Sequence, residues 1–423
     1  MIWLPFLVSE HWWDLRDLGN LSREILELIE RGLGSEVAYI VSPLIGFVAS
    51  FFLFVLPTQL YLGVYGERRL IGRMQSRLGP NRVGKFGLLQ PIADAIKLIQ
   101  KEAITPRGAD RWVMWTAPVV FVAPAVLVWA VIPFGPNMVI ADLPTGLVYY
   151  LAVAALPVLA AFMAGWSSNN KYSLFGAMRV VAMAISYEVA LVLALLGVVL
   201  FTQTLSLQEI ILWQRDLDIW LVFLQPLAFI IYFISASAEL NRTPTDIAEA
   251  ESEIVAGYLT EYSGMKWGLF YGMDIGYAIA AAAFGSTVFL GGWSFFGLEE
   301  WVPPWLILIV KTQLFYFVFI WTRGTLPRLR IDQLMGLAWK YLLPLAAVNL
   351  LVVAAERLWW KEAELGDGIV YLFAAINIVL AVVLLVGWAR ALGYRPERVR
   401  TRPRLVKEPL GYVPADSSAG GGQ

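Results

Sequence analysis

The 423-residue chain is 59% hydrophobic and only 15% charged, with 18 Trp and a formal net charge of −1. A soluble globular protein does not have this composition, whereas an integral membrane protein does. Cysteine is absent, which excludes a thiolate-held iron–sulfur cluster, a thiolate metal site or a disulfide on this chain, and the single His11 excludes His-pair haem ligation, so any redox metal belongs to a partner.

Residues 1–36 read as an N-terminal interfacial segment, with His11 in an aromatic stretch. Within it residues 22–33 are amphipathic: Leu21, Ile25, Leu28 and Ile29 form one face, opposed by Glu24, Glu27 and Glu30. No cationic region or small-residue cleavage site precedes them, so no cleavable signal peptide is expected. Apolar runs long enough to cross ~30 Å of hydrocarbon fall near residues 40–65, 112–134, 147–166, 186–204, 219–238, 272–292, 303–321, 338–356 and 369–389. The expected fold class is an all-α integral membrane protein of nine transmembrane helices with amphipathic interfacial helices. Lys and Arg number 24 in the segments after spans one, three, five, seven and nine, against 6 in the N-terminus and the remaining segments. That asymmetry puts the N-terminus outside and the C-terminus in the cytoplasm.

The first cytoplasmic loop carries Arg69, Arg73 and Arg77 at i, i+4, i+8, which predicts a helical continuation of span one with the arginines along one face, ended by Gly79-Pro80-Asn81. Such density reads either as lipid anchoring or as a docking or headgroup surface. Residues 88–104 predict a second interfacial helix, Leu89, Ile92, Ile96 and Ile99 opposing Asp94, Lys97 and Lys101. Glu188 is expected at the start of span four, where an ion pair with Arg179 is the structural alternative to a functional carboxylate.

Residues 238–267 are the most unusual segment. Glu239, Asp246, Glu249, Glu251, Glu253 and Glu261 fall within 23 residues, with Arg242 and Lys266 as the only cations. Anions beside hydrocarbon are costly unless paired, hydrated or neutralised, and acids held together titrate as a coupled set. Arg242-Thr243-Pro244 is expected to end one helix, with Thr243 or Thr245 capping the next. Asp246, Glu249 and Glu253 then share a face, with Glu251 turned away. Asp274 and Lys311 are further ionisable residues inside spans, and Lys311 requires a carboxylate, a carbonyl or water. A basic segment, 323–335, follows span seven. Residues 357–392 add a last span, and 393–423 form a basic tail expected to be disordered. The chain has no P-loop, GxGxxG fingerprint, HExxH or nucleophile triad, and the Asn241 sequon lies on the wrong side for glycosylation.

Four stretches together, residues 67–102, 176–191, 238–267 and 323–344, resemble the quinone-site membrane subunit of proton-pumping NADH:quinone oxidoreductase, respiratory complex I. The resemblance covers residues 37–356, an eight-helix quinone-site core, in the family's order. It implies a bacterial inner-membrane subunit, inactive alone, that forms a quinone cavity and couples quinone reduction to proton translocation. The quinone, ubiquinone or menaquinone, would be the substrate, its tail admitted between span one, span six and an amphipathic helix. FMN and iron–sulfur clusters would sit on partners. Those partners would be hydrophilic iron–sulfur and quinone-site subunits on the cytoplasmic side, small membrane subunits and antiporter-like subunits. No nucleic acid and no metal on this chain are implied. Arg69, Arg73 and Arg77 match the basic cavity mouth. Tyr258, Glu261 and Tyr262 match the quinone-cavity loop. Glu188, Asp246, Glu249, Glu251 and Glu253 match the carboxylate chain leading into the membrane. The sequence departs from the family at Met183, usually Gln, at Thr245 and Ala248, usually Phe and Pro, and at Lys85, often Pro.

Three other classes fit parts of this pattern. A subunit of a membrane-bound hydrogenase or ferredoxin-linked complex would use the same acids without a quinone cavity. A freestanding cation transporter would place its site on broken helices at mid-membrane, and no break is expected here. A structural anchor for a peripheral enzyme would leave the acids idle.

Overall fold

The computed structural model describes residues 57–136, 138–247, 254–363 and 368–391. Apart from one isolated bridge between Gly135 and Met138, the regular elements among them are helices. A π-helical stretch, Thr58–Gly66, runs into α1 (Glu67–Met74). It is followed by α2 (Gln90–Gln100), α3 (Arg111–Leu127), α4 (Gly146–Ala154), α5 (Leu156–Ser167), α6 (Lys171–Thr202), α7 (Leu207–Asp216) and α8 (Pro226–Glu239). Then come α9 (Gly264–Phe289), α10 (Pro304–Thr325), α11 (Ile331–Gly336), α12 (Leu343–Glu362) and α13 (Ile369–Ala391). Contacts divide the chain into two compact units, Met1–Ala381 and Val382–Gln423; the described part of the second is the end of α13.

Among the described residues, seven helical stretches are long and apolar enough to cross a bilayer: Arg111–Val131, Gly146–Ser167, Lys171–Thr202, Gly264–Phe289, Pro304–Thr325, Ile331–Glu362 and Ile369–Trp388. They coincide with seven of the expected runs. Of the run at 40–65, residues 40–56 lie outside the described residues, as do the amphipathic stretch 22–33 and the basic tail.

The run at 219–238 differs from expectation. Leu221–Leu224 forms a single turn, Gln225 leaves the helical region at φ −131° and ψ 61°, and α8 restarts at Pro226 for only 14 residues. Proline donates no N–H and disfavours helical backbone in the residue before it, so the break is set at Gln225-Pro226. Helix α6 differs too. It begins at Lys171, where Asn170 Oδ1 accepts the Tyr172 N–H at 3.0 Å, and runs 32 residues. Glu188 therefore sits mid-helix rather than at a helix start, because the helix continues past Arg179 beyond the apolar run.

Small residues bring the helices together. A Cβ on Gly165 of α5 would stand 2.3 Å from the Ala177 Cβ of α6. Helix α9 is the central one: 83% of its apolar window is buried, against 28–56% for the other six. The interfacial helix α2 packs on α9 and on Thr58–Gly66. Asp94 turns inward and pairs with Arg68 at 2.5 Å, Lys97 and Lys101 are exposed, and so are Leu89, Ile92, Ile96 and Ile99. An apolar stripe facing outward is what a helix lying on lipid presents.

Candidate functional site

Where α8 ends, the acidic segment folds back under the helix. Arg242 is buried, and the Thr245 hydroxyl donates to Ser237 O at 3.1 Å and Arg242 O at 2.6 Å. Thr245 thus ties the turn to α8; the helix that Thr243 or Thr245 was expected to cap falls on residues outside the described ones. Asp246 is partly buried. Glu249, Glu251 and Glu253 lie in residues 248–253, outside the described residues, so their expected shared face lies there too.

Arg242 reaches a carboxylate that spacing could not supply. Its Nη1 donates to Glu67 Oε2 at 3.2 Å, Tyr316 Oη donates to the same oxygen at 2.8 Å, and Arg323 Nη1 donates to Glu67 Oε1. Arg242 also lies 3.7 Å from Asp274 Oδ2 and over the Tyr316 ring at 5.5 Å. Helices α1, α9 and α10 and the turn after α8 each contribute one charged group. Burial alone would raise the Glu67 pKa, but Arg242, Arg323 and the hydrogen bonds from Tyr316 and Arg242 outweigh it and hold the carboxyl below its ordinary range. Removing two such ions from water is offset only by close, fully bonded geometry.

This cluster borders a cavity. It lies among Phe121, Tyr150, Glu239, Tyr258, Asp274 and Tyr277 and is partly open to solvent. Two carboxylates and Asn241 thus face a chamber that is otherwise aromatic and apolar. Behind its wall Glu188 acts by charge on Glu239, and Asp246 and Glu67 act on Asp274.

Tyr258 enters the chamber from the helical turn Gly257–Leu259, which is pressed against α6. A Cβ on Gly176 would come within 2.6 Å of Gly257 Cα, so only glycine permits that approach. Ser173 Oγ donates to Tyr258 O at 3.2 Å. Tyr258 and Tyr262 both pack edge-on against Phe270, at 5.8 and 5.2 Å. The Tyr262 hydroxyl lies 3.4 Å from both Ser167 Oγ and Met114 O, and burial pushes its pKa up. Glu261 accepts from Asn170 Nδ2 at 2.7 Å and does not line the chamber.

The three arginines do not line it either. Arg69 donates to Tyr65 Oη and to Phe86 O (3.1 Å) and lies over both rings, while Arg73 is exposed. Helix α1 ends at Met74, and Ser76 takes φ 56°. Arg77 therefore leaves the helical face expected for it, and its Nε donates to Gln75 Oε1 at 2.7 Å. Lys311 finds carbonyls, donating to Leu290 O at 2.6 Å and Ser294 O at 2.5 Å, with the Trp220 ring 4.7 Å away. Met183 is buried in α6. Glu67, Glu239 and Asp274 are the residues that the sequence did not place in the site. Asp274 was visible as an acid inside a span, and Glu239 as a member of the acidic segment.

Residues 45–354 match the NADH dehydrogenase family. The chain is 53% identical over 295 residues to the H subunit of NADH-quinone oxidoreductase from Dehalococcoides mccartyi (strain CBDB1), covering 70% of this chain and 82% of that protein. It is 47% identical over 314 residues to an H subunit of NADH-quinone oxidoreductase from Geobacter metallireducens, covering 72% and 93%. It is 46% identical over 299 residues to the H subunit of NADH-quinone oxidoreductase from Geobacillus kaustophilus, covering 70% and 89%.

Proposed function

This chain belongs to the NADH dehydrogenase family and is a multi-pass membrane subunit of a bacterial NADH-quinone oxidoreductase, and from that premise we propose that it forms the quinone cavity of complex I and couples quinone reduction to proton translocation. The observation that carries the proposal is the chamber in which Tyr258, Glu239 and Asp274 share one wall. Quinone is the substrate; its two-electron reduction takes up two protons, and the electrons come from iron–sulfur clusters and FMN on hydrophilic partners. On this chain, Tyr258 and Tyr262 supply hydroxyls and aromatic faces at the cytoplasmic rim. Arg69, Arg73 and Arg77 belong to the mouth and the partner interface. Helix α2, Thr58–Gly66 and α9 frame the opening for the tail.

Protons consumed at the rim change the field on the nearest acids, and each acid that gains or loses charge shifts its neighbours. In this reading Asp246, Glu249, Glu251 and Glu253 pass that change inward to Asp274, Glu239 and Glu188. Small membrane subunits and antiporter-like subunits receive it. The topology proposed with it has nine spans, the N-terminus outside and the C-terminus cytoplasmic. Residues 1–36 are interfacial, 37–356 form the core, 357–392 add a helix and 393–423 form a tail.

The test is a Glu253→Gln strain in which NADH–quinone activity and proton uptake are measured together on membranes. Loss of both with normal assembly is the expected result. Normal values for both would sink the coupling role.

A further inference from the structure

A second buried polar cluster lies in the half of the membrane-spanning region remote from the acidic segment. Glu356, near the end of α12, is 8% exposed, and its one hydrogen-bond partner among the described residues is Asn377 of α13. Asn377 Nδ2 donates to Glu356 Oε2 and to Leu224 O, each at 2.9 Å. Leu224 O is available because the single turn ends at Leu224 and the chain leaves the helical region at Gln225, so no downstream N–H of α8 reaches back to it. Gln225 is 1% exposed; its Nε2 donates to Gly197 O at 3.0 Å, and its Oε1 has no partner among the described residues. Asn349, two turns before Glu356 on the same face of α12, is 8% exposed and its Nδ2 likewise has none. A Cβ on Gly197 would stand 3.3 Å from Gln225 Oε1 and 3.5 Å from Asn349 Nδ2. One unpaired acceptor and one unpaired donor therefore converge beside a residue without a side chain.

Buried groups of this kind are too costly to leave unmade, and an acceptor facing a donor across a small gap is the setting that holds an ordered water. Half-buried Arg357, next along α12, lies over the Trp360 ring, and a carboxylate at this depth with one amide donor and no ion pair among the described residues is equally unfavourable as a fixed anion. Lys361 and Glu362, one turn beyond, are exposed, so water comes within about 8 Å along the helix.

We propose that Glu356, Asn377, Gln225 and Asn349 form a hydrated proton site on the outer side of this subunit, with Glu356 as the group that changes protonation during turnover. Protonated Glu356 gives its proton to water on the outer side; the carboxylate left behind is held by Asn377 Nδ2, and a proton delivered from the carboxylate chain is relayed by water ordered at Gln225 and Asn349, each water passing on one proton as it receives one, to restore the acid. This rests on the proton-coupling reading above. Helix α13 supplies the amide, which gives the added helix a part in the chemistry and not only in anchoring.

The discriminating change is Glu356→Gln in the assembled complex, in sealed vesicles. Glutamine still accepts from Asn377 but cannot release a proton. Expected are retained NADH–quinone turnover, a lower number of protons moved per NADH oxidised, and loss of a carboxyl C=O band from the redox-difference infrared spectrum. Glu356→Asp should restore part of the proton yield. Gln225→Met, which removes the water partner together with the Nε2–Gly197 O hydrogen bond but leaves Glu356 and Asn377 in place, should lower it even if E356Q fails to assemble. Wild-type proton yield in both E356Q and Q225M overturns the inference and leaves the coupling reading standing. A wild-type complex that reduces quinone without moving protons sinks both.

Discussion

Arg242 Nη1 meets Glu67 Oε2 at 3.2 Å across 175 residues of sequence, and both side chains are almost fully enclosed. This pair joins the turn after α8 to the start of α1, so it fixes the acidic segment against the element that carries the arginine loop. Glu67→Ala leaves Arg242 buried without its closest anion and is expected to destabilise the subunit by about 3–5 kcal/mol. Thermal denaturation of the purified complex, with subunit retention as the readout, checks it.

The pH dependence of that contribution has a definite sign. The Glu67 pKa is lowered in the folded protein from its ordinary value of 4.5. Its stabilisation is therefore fully present above pH 4.5 and is lost as pH falls through the lower folded-state value. Unfolding measured between pH 7 and 5 should show the same wild-type minus Glu67→Gln difference throughout. A difference that already shrinks by pH 6 would contradict the assignment.

Glu239 and Asp274 face one chamber, so Glu239→Gln and Asp274→Asn should each lower quinone-dependent turnover by roughly tenfold or more if they handle protons. NADH oxidation by a water-soluble acceptor that bypasses the quinone should be unchanged. Equal losses in the two assays would point to faulty assembly instead.

Gly176 admits the Gly257–Leu259 turn at van der Waals limits. Gly176→Ala must displace backbone, an overpacking that costs about 1–3 kcal/mol. Because Tyr258 rides on that turn, the KM for quinone is expected to rise more than kcat falls. An unchanged KM would separate Tyr258 from substrate binding.

The exposed face of α2 gives a contrast between two substitutions. Ile96→Lys places a charge where lipid or a quinone tail lies, and should impair a long-tailed quinone more than a short-tailed analogue. Asp94→Asn on the inner face removes the partner of a half-exposed Arg68, and should change stability by less than about 1 kcal/mol. Steady-state kinetics with both quinones, alongside thermal melts, distinguish the two outcomes.

Much of this arrangement is legible in the sequence because the bilayer imposes one strong rule, an apolar run for each crossing. Seven helices follow it. Helix α2 was legible through 3–4 spacing alone, since Leu89, Ile92, Ile96 and Ile99 repeat with the helical period. The break at Gln225 was missed because apolar content stays high across Pro226, and hydropathy does not register a lost donor. The start of α6 was missed because Arg179 reads as a bilayer boundary, although a helix continues into the aqueous layer. For the site, Tyr258 and Tyr262, whose surroundings are set by a glycine approach and one phenylalanine, come from the family resemblance rather than from local spacing. Local spacing could not reach Glu67, whose three partners are 175, 249 and 256 residues distant, because nothing in a helical period reports such pairings.

Those separations also set a timetable for biogenesis. Glu67 emerges early, whereas Arg323, 256 residues later, follows most of the subunit. At roughly 5–20 residues per second of synthesis, the carboxylate waits tens of seconds for its last counter-ion. During that interval it must stay hydrated at the bilayer surface. The first helices therefore cannot settle into their final packing until α10 is threaded, and the insertion machinery must hold them apart until then.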